Sequence, residues 1–236
     1  MIKLKGKGVF LSNAIIFLLI IMVFAVSFLP QGTAYIYGGE SEKAIYRGSV
    51  NNKNVSLMFN VYENTEVVNG IIDLLNAREM KATFFVGGCW ADDNGETLNK
   101  IVQSGHELGN HGYFHKSHGK IDYNENEQEI KLTDVVVKAL CGVKMDLFAP
   151  PSGDYSETTL KVCSALNYKV IMWSKDTIDW RDSDINTIIN RATKNLSNGD
   201  LVLMHPKKHT LNALTAILDF YQNAGFNVVT VSENIA

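Results

Sequence analysis

Beyond residue 54 the chain alternates short apolar runs with stretches of helical periodicity, and no other feature limits its fold as much. Residues 55–59 (VSLMF), 82–86 (ATFFV), 169–173 (KVIMW) and 201–204 (LVLM) are mostly apolar over four or five positions. Runs of that length read as strands covered on both faces. Residues 106–110, 146–149 and 226–231 read as further extended segments. Between them, Val67, Val68, Ile71, Leu74 and Leu75 are spaced to share one face of a helix over residues 67–77. Residues 97–103, 125–137, 155–167, 185–196 and 211–223 also read as helices. About seven strands with helices between most of them predict parallel βαβ units, an α/β fold. A closed or nearly closed β/α barrel and an open doubly wound sheet both suit this order. Sites in such folds gather beyond the C-terminal ends of strands. Asn60, His111, Pro150, Pro151, Asp176 and His205 each follow a predicted strand closely.

The N-terminus bears on compartment. Lys3, Lys5 and Lys7 precede an apolar stretch, residues 9–29, whose polar members are Ser12, Asn13 and Ser27. As a helix it would be roughly 31 Å long, enough to cross a bilayer core. Lysines on its N-terminal side place that end in the cytoplasm and the rest of the chain outside. An uncleaved anchor and a cleaved signal peptide both fit, the second through the small residues Gly32 and Ala34. The expected organisation is a membrane anchor or signal segment at 1–30, a linker and domain start at 31–53, and an exported domain at 54–236. The location implied is the cell membrane, single-pass, or secretion if the segment is cleaved.

Charge narrows the partners. The 22 basic side chains face 25 acidic ones, a net −3, which leaves no basic excess for a nucleic-acid face. Cys89, Cys141 and Cys163 lack CxxC spacing and are too few for a disulfide framework.

Three short stretches carry chemistry. His111 and His115 are four apart, a spacing that lets two imidazoles meet one divalent cation, although surface helices also carry such pairs by chance. Asp176, Asp179 and Trp180 sit together; a carboxylate beside an indole can orient a histidine, or the acids can simply hold an exposed turn. In Leu203-Met204-His205-Pro206 a histidine follows a strand directly, and the proline fixes the chain direction after it. His106, His118 and His209 belong to none of these stretches and read as surface or packing residues.

Taken in order, these stretches resemble the polysaccharide deacetylases of carbohydrate esterase family 4, the NodB-homology domain, from about residue 54 to the end. Lys81-Ala82-Thr83-Phe84-Phe85 and Gly105-His106-Glu107-Leu108-Gly109-Asn110-His111 are similar to it too. The resemblance implies a distorted (β/α) barrel of about seven strands, preceded here by one N-terminal transmembrane helix. It implies His111 and His115 as ligands of a divalent metal, with zinc the expected ion. It makes His205 the general acid, tuned by Asp179, with Trp180, Asn60, Pro150, Pro151 and Leu203 lining the groove. The reaction implied is metal-assisted hydrolysis of N-acetyl groups on a cell-envelope glycan, peptidoglycan or chitin-like. The variant motifs are similar to an exported or sporulation-associated branch in Gram-positive bacteria.

Two motifs depart from that pattern. Where the family has Thr-Phe-Asp-Asp-Gly, this chain has Met58-Phe59-Asn60-Val61-Tyr62. The family's general base and third metal ligand are thus replaced by Asn60 and Val61. An amide takes up no proton near neutral pH, and a valine binds no metal. The arginine that would pair with the base is Ala149, in Ala149-Pro150-Pro151-Ser152. Glu63 and Glu66 are candidates for the third ligand, or else acids opening the next helix. Two functional expectations follow: a metal-dependent deacetylase of reduced activity, or a catalytically inactive glycan-binding member of the same fold.

Overall fold

The computed structural model describes residues 16–18, 20–21 and 43–236. The apolar run at 9–29 falls mostly outside these, and among the described residues no helix is long and apolar enough to cross a membrane. Residues 41–236 form one compact unit.

Eight strands are found among the described residues: β1 (Asn54–Val61), β2 (Thr83–Val86), β3 (Glu107–Asn110), β4 (Leu147–Phe148), β5 (Lys169–Val170), β6 (Lys175–Asp176), β7 (Asp200–Met204) and β8 (Asn227–Val228). Their order is β5-β4-β3-β2-β1-β7-β6, and every pairing is parallel. β8 pairs with the start of β1, through Asn54–Asn227 and Val55–Val228. The sheet curls into the distorted barrel that the resemblance implies, rather than an open doubly wound sheet. The segment 45–48 links two parts of the sheet that are far apart in its order. Ile45 bridges Ile171 beyond β5, and Arg47 bridges Asp200 at the start of β7. Residues 45 and 47, in the stretch read as linker and domain start, thus pair with the sheet.

β1 shows how the strands place the site. Its side chains alternate between two apolar layers, as a period of two requires. Leu57, Phe59 and Val61 belong to the outer core with the helices, whereas Met58 joins Phe85, Ala149, Ile171, Leu201 and Leu203 inside the barrel. Asn60, two residues past Met58, extends the inner row to the barrel mouth. Full burial of each large side chain in these layers contributes about 1.5–3 kcal/mol.

The helices are α1 (Thr65–Asn76), α2 (Gly88–Asp93), α3 (Gly95–Gln103), α4 (Tyr123–Cys141), α5 (Glu157–Ala165), α6 (Ile185–Thr193), α7 (Lys208–Asn223) and α8 (Val231–Ile235). Several differ from the sequence-based reading, and α2 was not expected from it at all. The helix expected at 155–167 begins at Glu157, because Ser156 caps it by accepting the amide of Thr159. The last strand, expected over 226–231, is two residues long and gives way to α8. Thr230 and Glu233 form a reciprocal capping box there.

Candidate functional site

At the mouth of the barrel, His205 follows β7 directly. Its Nδ1 lies 2.7 Å from Oδ1 of Asp179, and its backbone N–H donates to Oδ2 at 2.8 Å. The hydroxyl of Thr210, one turn into α7, donates to the same Oδ2 at 2.7 Å. Asp179 is 1% exposed, so three short bonds compensate its buried charge. A carboxylate can only accept, so Nδ1 of His205 carries a proton and Nε2 faces away from Asp179. His209, expected to be a surface or packing residue, bonds the carbonyl of Asp179 through Nε2 at 2.8 Å and steadies the same loop.

His111 follows β3. Its Nδ1 is 2.6 Å from the carbonyl of Ala149, which again makes Nδ1 the donor. Ala149 therefore serves the site with its backbone alone, its side chain being inside the barrel. Burial pushes the His111 pKa down to about 3, so the ring is neutral. His115 sits at a positive φ of 58° and meets His111 edge-on, ring centroids 5.4 Å apart. The loop between them is pinned from three sides. Asn110 Oδ1 accepts the amide of Gly112 at 2.9 Å. Buried Glu129 Oε2 accepts those of Tyr113 at 3.0 Å and Phe114 at 2.7 Å. The Tyr62 hydroxyl donates to the carbonyl of Gly112 at 2.8 Å and accepts the amide of His115 at 2.9 Å.

A cavity of about 150 Å³ joins the two halves. Asn60, His111, His115, Trp180 and His205 line it. So do Tyr62, Pro206 and Lys207, which the sequence reading did not count among the site residues. Asn60 is 6% exposed, and its Oδ1 has no hydrogen-bond partner among the described residues. Trp180 is 56% exposed and offers a flat apolar face beside His205. Pro150, Pro151 and Leu203, expected in the groove, are buried and lie outside this lining.

The predicted third-ligand candidates fare differently. Glu63 lines the cavity but is paired with Lys207. Glu66 is exposed in the first turn of α1 and outside the lining. Val61, at the family's ligand position, packs into the outer apolar core. Among the described residues no group of three His, Cys, Asp or Glu side chains could hold a metal ion. At the family's ligand positions His111 and His115 are the two ligands found among the described residues, where protein zinc sites use three or four. The described residues do not fit the family's metal.

A family model for polysaccharide deacetylase matches residues 47–171. The chain belongs to that family. The match ends before Asp179 and His205, which the fold brings to the same groove. Among its relatives, the uncharacterized protein YlxY of Bacillus subtilis is 31% identical over 80% of this chain, and the chain spans 59% of that protein's length. A peptidoglycan-N-acetylglucosamine deacetylase of Bacillus cereus is 30% identical over 79% of this chain and 70% of its own length. The crystal structure of a family 4 carbohydrate esterase pseudoenzyme from Bacillus anthracis superposes with a TM-score of 0.80. It is 31% identical and covers 84% of this chain and 70% of that one. A mutant of that pseudoenzyme with restored enzymatic activity superposes equally well, at 30% identity over 84% of this chain and 72% of that one. The family thus includes hydrolases of amide bonds on peptidoglycan and at least one member that has lost the activity.

Proposed function

We propose that this polysaccharide deacetylase family member binds an N-acetylated envelope glycan, peptidoglycan or chitin-like, without hydrolysing its acetamido groups. The carrying observation is Asn60: a buried amide with an unpartnered oxygen, in the position where the family has its base. A buried acceptor with no partner costs about 1–3 kcal/mol. Asn60 also lines the cavity, where its amide can exchange a hydrogen bond with an acetamido group of a ligand. Trp180 presents a face on which the C–H side of a pyranose can lie, and His205, held by Asp179, offers its outer nitrogen to a hydroxyl or carbonyl.

Hydrolysis needs more than this. A water must lose a proton as it attacks, and the amide of Asn60 cannot take it. Loss of a general base alone lowers the rate by about 10²–10⁴. Among the described residues no third metal ligand stands with His111 and His115. A second reading, slow deacetylation, draws on the intact His205–Asp179 pair, which could still protonate a leaving amine.

Isothermal titration with chitotetraose and with soluble peptidoglycan fragments tests the binding. Asn60→Ala is expected to weaken the interaction about fivefold or more. No binding of either ligand to the parent protein would remove the proposal. The apolar run at 9–29 supports a single-pass anchor with the domain at 54–236 outside the cytoplasm. Protease added to intact protoplasts should then digest the domain, and full protection would exclude that topology.

A further inference from the structure

We infer that Tyr62 takes over from a metal ion the task of setting the His111–His115 loop, so that the loop keeps its shape in metal-free protein. Tyr62 stands where the first motif of the family has glycine, one residue after the lost ligand position at Val61. Its hydroxyl closes a ring across the loop, donating to the carbonyl of Gly112 and accepting from the amide of His115. The carbonyl of His111 lies 3.2 Å from the same oxygen. Its ring packs edge-on against His115 at 4.8 Å and tilted against His111 at 5.6 Å. The one side chain thus touches both histidines and bonds the backbone at both ends of the segment between them.

The neighbourhood is shaped to admit this ring. A Cβ on Gly87 would come within 2.1 Å of the Tyr62 ring, so only glycine leaves room there. Together with Asn110 and Glu129, Tyr62 leaves the loop fixed by side chains of this chain alone. A metal bound by His111 and His115 would constrain the same two residues, and the constraint would be redundant. Loss of the carboxylate at 61 and gain of the phenol at 62 form one exchange of a metal-borne scaffold for a hydrogen-bonded one.

The test needs no glycan, so its outcome is separate from that of the proposed function. Thermal unfolding of the parent protein is followed with EDTA, with no addition, and with excess zinc. The three transitions are expected to agree within about 1 °C. Tyr62→Phe is expected to unfold roughly 3–8 °C lower and to exchange the His115 amide about tenfold faster by hydrogen exchange. Stoichiometric zinc binding that raises the parent's transition would overturn the inference. So would a Tyr62→Phe variant whose His115 amide exchanges at the parent's rate. If Tyr62→Phe does not fold, the parent's response to zinc and EDTA decides alone.

Discussion

Replacing Asp179 by alanine probes the half of the groove that holds His205. The carboxylate is buried and accepts three bonds: from Nδ1 of His205, from the backbone amide of His205 and from the Thr210 hydroxyl. Bonds to a charged acceptor contribute about 1.5–3 kcal/mol each. Burying the charge costs several kcal/mol in return, and the Thr210 hydroxyl can rotate to another acceptor. The net loss on truncation is therefore about 2–4 kcal/mol. In a domain of this size each kcal/mol moves the midpoint by about 2–4 °C, so Asp179→Ala should unfold roughly 5–15 °C below the parent in a calorimeter. Asp179→Asn keeps the shape and should lose about half as much. Its oxygen can serve Thr210 and the His205 amide, which turns its NH₂ toward Nδ1 and forces the proton to Nε2. Nitrogen-15 NMR of the His205 ring reads that exchange of tautomers directly. An alanine variant that melts within a degree of the parent, or an asparagine variant with its ring proton still on Nδ1, would refute the assigned geometry.

Other consequences can be measured separately. Val61 is fully buried in apolar surroundings, so Val61→Asp should lower the midpoint in EDTA by roughly 5–15 °C. Added zinc should recover part of that loss in this variant and none in the parent; a variant indifferent to zinc would deny that position 61 is a ligand position. His106 is buried, accepts the amide of Ala82 at Nδ1, and is pushed down to about pKa 4 by burial, with Lys81 adding to the effect. Its folded value lies below the unfolded one near 6.5, so the unfolded chain binds more protons and stability falls as pH drops from about 6.5 to 4. His106→Gln should flatten the stability profile in that window by roughly 1–3 kcal/mol; an unchanged slope would contradict the neutral buried ring.

The parts of the fold that could be read from the sequence are those whose side chains form local patterns. β1, β2 and β7 announce themselves as apolar runs because both of their faces are covered. β4, β5 and β8 lie within the segments read as extended at 146–149, 169–173 and 226–231, but each is two residues long, too short for its bounds to show as a periodicity. β6 is Lys175–Asp176, polar in both positions, and is a strand only because β7 pairs with it. The capping box at Thr230 and Glu233 was not read from the sequence, because the apolar residues of 226–231 pointed to a strand. The site divides in the same way. His111, His115, Asp179 and His205 are conspicuous because their motifs are. The acceptor for His111 is a backbone carbonyl at Ala149, which leaves no trace in side-chain identity. Lys207 reaches across 144 positions to occupy Glu63, and no local pattern foretells it. Tyr62 was visible in the altered motif, but its role depends on the loop it meets 50 residues later.

The account rests on a groove that holds an N-acetylated glycan and does not hydrolyse it. Acetate release from chitotetraose, assayed with zinc in excess and at ligand concentrations where titration shows the complex formed, addresses this most directly. Asn60→Asp combined with Val61→Asp serves as the rebuilt comparison. The parent is expected to release no acetate above the protein-free control, and the rebuilt variant to release it measurably. Acetate released by the parent in proportion to its concentration, and abolished by His205→Ala, would contradict the account.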